Sequence, residues 1–115
     1  MTVLIYKICH NAEWALAVRE GIYAGSAKDH EDRFMHFSTA EQVRGTLERH
    51  YAGARDLVLV EVKAELLGKA LKFEPSREGA MYPHLYGTLP IAFVNWVRSI
   101  RQSADGAFLL PQRIP

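Results

Sequence analysis

The sequence predicts an α+β fold of about five to seven strands and two main helices. Three observations carry that expectation. Runs rich in β-branched and aromatic residues, TVLIYKIC, LVLVEV and FVNWVRSI, read as strands. Two overlapping capping boxes, Ser38 with Glu41 and Thr39 with Gln42, mark a helix start. Helix and strand do not alternate regularly, which argues against a parallel sheet.

The elements follow in order. Thr2 to Cys9 reads as a strand. His10-Asn11-Ala12-Glu13 starts a helix with an apolar stripe of Trp14, Leu16, Ala17 and Val18, ended by Gly21. Ile22 to Ser26 is a short extended segment, and the charged run from Lys28 to Arg33 reads as a solvated loop. Phe34 to Phe37 reads as a short buried strand. The helix starting near Thr39 runs to about Tyr51, with Val43, Leu47 and His50 or Tyr51 inward, and stops at Gly53. Leu57 to Val62 is apolar on both faces until Glu61, as a central strand would be. Ala64 to Leu67 makes a helical turn before Gly68. Ala70 to Glu74 alternates and closes at Pro75. Ser76 to Pro90 reads as a Gly- and Pro-punctuated loop holding YPHLYG, and Phe93 to Ile100 as an alternating strand. Gly106 to Leu110 is a last strand, with Phe108-Leu109-Leu110 a dimer contact as the alternative.

Composition bounds the function. A chain of 115 residues fits one domain spanning 1–115. Its 14 basic and 13 acidic side chains leave a net charge of +1, so no nucleic-acid-sized basic field is expected. The one cysteine, Cys9, has no internal disulfide partner and reads as a small core filler, with a reactive thiol beside His10 as the alternative. No apolar run approaches the ~20 residues of a membrane span, and a cytoplasmic location is the expectation.

Three segments hold candidate chemistry. In FMHFSTAEQ, strand alternation puts Phe34 and His36 on one face and Met35 and Phe37 on the other. His36 is then either a core-edge histidine satisfied by backbone groups or a ligand-binding imidazole. The strand-to-helix corner favours the second use, because its free N–H groups and positive dipole end attract anions, with Ser38 beside them. In MYPHLYGTLP, His84 and Tyr86 belong to an aromatic, polar-tipped stretch suited to ligand contact or to packing on the sheet. In KFEPSREG, Glu74 at a strand end can accept from a sugar hydroxyl or stabilise positive charge, with Arg77 within reach of an anion. An exposed pairing of Glu74 with Lys72 or Arg77 is the alternative. No Rossmann glycine pattern, P-loop or G-x-S-x-G elbow is written here, and no H-x-x-x-H pair supports a metal site by His10, His36 and His84.

IYKICHNAEW, GIYAGSAKD, FMHFSTAEQV, LKFEPSREGAMYPHLYGTLP and FVNWV, taken in order over about 4–101, resemble the small bacterial proteins of the domain-of-unknown-function family nine hundred and fifty-two. That resemblance implies an ADP-ribosylation-like fold with a mixed or antiparallel split sheet, akin to the NAD-dependent RNA 2′-phosphotransferases. It further implies NAD or a similar small nucleotide as ligand, with ADP-ribosyl transfer as the reaction. His36 would hold the ribose, His84 or Tyr86 would pack on the ring or contact the ribose, and Glu74 would be the catalytic carboxylate. The chain lacks the E-x-E and Q-x-E motifs of toxin transferases. A non-catalytic module binding a small ligand or a protein through the same cleft is the alternative.

Overall fold

A computed structural model describes residues 2–76 and 78–115. In chain order it contains β1 (Leu4–His10), α1 (Asn11–Glu20), β2 (Ile22–Tyr23), α2 (Ala27–Asp32), β3 (Met35–His36), α3 (Ala40–His50), β4 (Leu57–Lys63), β5 (Leu71–Pro75), β6 (Met81–Leu85), β7 (Leu89–Pro90), β8 (Val94–Gln102) and β9 (Phe108–Leu109). Short 3-10 segments, Ala64–Ala70 and Ile91–Phe93, join β4 to β5 and β7 to β8. Every strand pairing is antiparallel.

The larger sheet has the order β1-β4-β8-β9. Its strand β4 is central and buried from Leu57 to Val62, because both of its faces are covered. Val58, Val60 and Val62 join Ile5, Cys9, Trp14, Ala17 and Tyr23 on the side of α1. Leu57 and Leu59 join Tyr6, Ile8, Val43 and Leu47 on the side of α3. That double coverage is why the run lacks the apolar–polar alternation of a one-sided sheet. Its one acid, Glu61, is buried and accepts from the Tyr6 hydroxyl at 2.8 Å and from Asn95 Nδ2 at 3.2 Å. Burial, and then this bond to Glu61, push the Tyr6 hydroxyl well above the usual tyrosine range.

Both expected helices are present. Gly21 closes α1 at φ 82, with its N–H on the Ala17 carbonyl at 2.8 Å. Trp14 and Ala17 face the core, but Leu16 and Val18 are each 52% exposed, so the apolar stripe is narrower than the composition suggested. In α3, Val43 and Leu47 are completely buried. Thr39 is its N-cap residue, and the Gln42 side-chain oxygen accepts from Thr39 N–H at 3.0 Å.

The smaller sheet has the order β3-β6-β5. It is joined to the larger one where the chain leaves β3. Tyr6 and Ser38 exchange backbone hydrogen bonds of 2.8 Å in each direction, and Phe37 N–H donates to the Pro83 carbonyl at 3.0 Å. Two expectations are corrected here. The charged run from Lys28 is not a loop but most of α2, capped by Ser26, whose Oγ accepts from Asp29 N–H at 3.2 Å while Asp29 accepts from Ser26 N–H at 2.9 Å. The stretch from Ser76 to Pro90 is not all loop either, since it contains β6 and β7. Pro83 fits inside β6 because its carbonyl points to the β3 side at Phe37, beyond the last β3–β6 pair, so its missing N–H interrupts no ladder bond. The chain's end returns to α3, where Arg44 donates to the Phe108 and Pro115 carbonyls and Ile114 is buried. No described helix is long and apolar enough to cross a membrane.

Candidate functional site

The register of the smaller sheet creates a row of functional side chains. His36 on β3 pairs with His84 on β6, and His84 pairs in turn with Lys72 on β5. Cross-strand partners share a face, so the two imidazoles meet edge-on with ring centroids 5.8 Å apart. The alternation expected for Phe34–Phe37 is present: Met35 and Phe37 are each 2% exposed, while Phe34 turns to the side of His36. The Phe34 ring stacks on His84 at 3.9 Å and lies 4.6 Å from His36 and 5.6 Å from Tyr86.

His36 is held from both ends. Its Nδ1 lies 2.6 Å from Asp29 Oδ1 and its Nε2 lies 2.8 Å from Asp32 Oδ2. The same Asp29 oxygen accepts from the His36 backbone N–H at 3.1 Å. Beneath them, the buried Lys7 on β1 donates to the His36 carbonyl at 2.9 Å and pairs with Asp29 Oδ2 at 2.8 Å. On the outside, Lys28 lies 3.5 Å from Asp32. Charges therefore alternate from core to surface. Burial would raise the Asp29 carboxyl, but the His36 hydrogen bond and the Lys7 ammonium outweigh it and hold the group well below the usual carboxylate range.

His84 is held by one carboxylate only. Its Nδ1 lies 2.8 Å from Glu74 Oε1, and the Tyr86 hydroxyl donates to the same oxygen at 2.8 Å. Glu74 can reach His84 because its own cross-strand partner is Tyr82, two residues away on β6. Hydrogen bonds from His84 and then Tyr86 lower the Glu74 carboxyl, and the bond to Glu74 raises the Tyr86 hydroxyl in return. The Lys72 ammonium sits 5.1 Å over the Tyr86 ring. From α3, Gln42 donates to the Met81 carbonyl and Arg49 to the Tyr82 hydroxyl, each at 2.7 Å, which ties β6 down.

The structure thus brings His36, Glu74, His84 and Tyr86 together around Phe34. Ser38 stands apart. It is buried, does not cap α3, and its hydroxyl lies 3.1 Å from Thr46 Oγ1. Arg77 lies outside the described residues. His10 packs edge-on to Tyr51 and does not join the other two histidines. A hollow of about 220 Å³ opens beside the cluster, lined among others by Ala24, Asp29, Arg33, Phe34 and Thr88. Phe34 therefore stands between that hollow and His84. A second hollow of about 240 Å³, beside Asn11, Arg55 and Gln102 at the Leu57–Ile100 end of the larger sheet, touches none of the expected site residues.

Four participants escaped the sequence reading: Lys7, Asp29, Asp32 and Phe34. The pattern Ser26-x-x-Asp29 is a capping box and was the available signal for α2. With α2 in place, Asp32 reaches His36 from its last turn. Lys7, inside an otherwise apolar strand, signalled a buried partner. Cys9 fills the core as expected. It is 2% exposed, and burial pushes its thiol up to about 12, which disposes of a reactive thiol beside His10.

Comparison with known proteins gives a family and a fold relative. Among curated proteins none matches the chain. The crystal structure of protein CC0527 from Caulobacter crescentus superposes with a TM-score of 0.87 at 43% identity, covering 92% of this chain and 93% of that one. The solution NMR structure of CC0527 gives a TM-score of 0.81 at 45% identity, covering 90% and 89%. The family model described as "Protein of unknown function (DUF952)" matches residues 8–97, which hold every residue of the cluster except Lys7. On that match, and with this fold, the chain belongs to the DUF952 family.

Proposed function

We propose that this chain binds NAD or a similar nucleotide against the face of its smaller sheet and transfers the ADP-ribosyl group, in an ADP-ribosylation-like fold. One observation carries the reading: His36, His84, Tyr86 and Glu74 converge on a single aromatic ring, that of Phe34. Such a group offers flat faces for a heterocycle and carboxylates for positive charge. A nicotinamide leaving a ribose needs both, since the ring begins as a cation and the sugar becomes one. His36 Nε2 is covered by Asp32, whose side chain is 29% exposed, so a ribose hydroxyl gains that nitrogen once one surface side chain turns away. The cluster contains no Ser, Thr or Cys nucleophile, and the catalytic contribution is orientation and charge stabilisation.

The non-catalytic reading has its own support, because both ring nitrogens of His36 are already satisfied within the chain. Titration with NAD, followed by amide chemical shifts and by calorimetry, tests the first reading. Shifts centred on Phe34, His36, His84 and Tyr86 are expected, and no binding at millimolar NAD would refute it. Binding without release of nicotinamide, measured by chromatography, supports the non-catalytic module instead.

A further inference from the structure

The two histidines of the cluster are held in opposite ways. Both nitrogens of His36 face carboxylates, whereas His84 meets a carboxylate only at Nδ1. An ionised carboxylate accepts and cannot donate, so Glu74 draws the proton of a neutral His84 ring onto Nδ1 and leaves the lone pair on Nε2. That nitrogen has no partner among the described residues. The only buried side-chain polar atom without a partner among those residues is the Tyr23 hydroxyl, so His84 Nε2 reaches solvent. The ring is also fixed in orientation, stacked on Phe34 with an interplanar angle of 27°. A carboxylate on one nitrogen, a free lone pair on the other and a clamped plane are the requirements for a general base.

We infer that His84 is the general base of this site, oriented by Glu74, and that it activates a hydroxyl group as the acceptor of the transferred sugar. The inference rests on the ribosyl-transfer reading above. The acceptor O–H gives its proton to His84 Nε2 as the oxygen bonds to C1′ of the ribose. The C1′–N bond to nicotinamide breaks, its electron pair leaves with the ring, and nicotinamide departs neutral. His84 then releases the proton to water. Glu74 stays ionised throughout as a positioning residue. The Tyr86 hydroxyl supports it in that role, donating to the oxygen that His84 also uses.

Methanol serves as the probe acceptor, with NAD as donor and methyl ADP-ribose as the product read by mass spectrometry. Glu74→Gln and His84→Asn are each expected to lower kcat by roughly 10²–10⁴ while NAD affinity stays within about threefold of the parent. Nitrogen-15 spectra of the ligand-free protein provide a readout that a merely structural role would not move. They should show neutral His84 protonated on Nδ1 in the parent, and this preference should be lost in Glu74→Gln. Unchanged turnover in Glu74→Gln, or His84 protonated on Nε2 in the parent, overturns the inference and leaves the ribosyl-transfer reading standing. A parent protein without turnover overturns that reading and the inference together.

Discussion

Asp29→Asn keeps the side-chain shape and removes one charge from the buried network beneath His36. Asp29 accepts from four donors: Lys7 Nζ and Ser26 N–H on one oxygen, His36 N–H and Nδ1 on the other. An amide retains one acceptor oxygen, so its NH₂ group must face two of those donors. The Lys7 ammonium, 3% exposed, is left without its counter-charge. Breaking such a buried pair from one side costs about 3–5 kcal/mol. Against a typical domain stability of about 5–15 kcal/mol, that lowers Tm by roughly 10–20 °C. Chemical unfolding followed by circular dichroism measures the loss at neutral pH. The acid limb carries a second signature. The folded carboxyl lies below its ordinary value, so its stabilisation is complete above the unfolded value of about 3.9 and is lost as pH falls from about 5 downward. The parent should therefore lose stability over that window, and Asp29→Asn should lose less. The double variant Lys7→Met/Asp29→Leu should recover most of the deficit, because it removes both charges. Asp32→Asn, whose lysine partner is 66% exposed, should cost under about 1 kcal/mol. A deficit in Asp29→Asn no larger than that of Asp32→Asn would refute the reasoning.

Other expectations follow from single positions. Gly25 has φ +104, and a Cβ there would lie 3.0 Å from Asp29 Cβ and 3.2 Å from its Oδ2, so Gly25→Ala should cost about 1–3 kcal/mol by thermal unfolding. Leu47 is completely buried against the larger sheet, and Leu47→Ala should cost about 2–5 kcal/mol in denaturant titration. Cys9 should react with a thiol reagent at pH 8 only at the rate of unfolding, because burial pushes its thiol up to about 12; rapid stoichiometric labelling of the native protein would contradict that.

Much of the larger sheet was legible because its signals are local. The LVLVEV run, the glycine after α1 and the Thr39–Gln42 box each dictate their element within a few residues. The smaller sheet was less so. Pro83 made β6 look like loop, and only the end of β3 beside it explains why a proline is tolerated there. The charges between Lys28 and Arg33 concealed α2, since composition cannot tell the buried Asp29 from the exposed Glu31. Leu16 and Val18 were counted as core on residue type, although α1 buries only the face of Trp14 and Ala17. The nearness of His36, His84, Glu74 and Tyr86 was expected from family resemblance, and cross-strand register is the physical reason for it. Ser38 was misjudged because a serine before a helix suggests a cap, whereas its hydroxyl lies against Thr46.

The stitching between the two sheets has a consequence for how such a protein can diversify. Tyr6, Phe37, Ser38 and Pro83 provide the tether, and His36 occupies the residue next to it. The imidazole therefore inherits its placement from the rigid half of the molecule. The outer tips of β5 and β6 lie several residues further out. Changes there can reshape what approaches the histidines without loosening the ring that Lys7 and Asp29 anchor from behind.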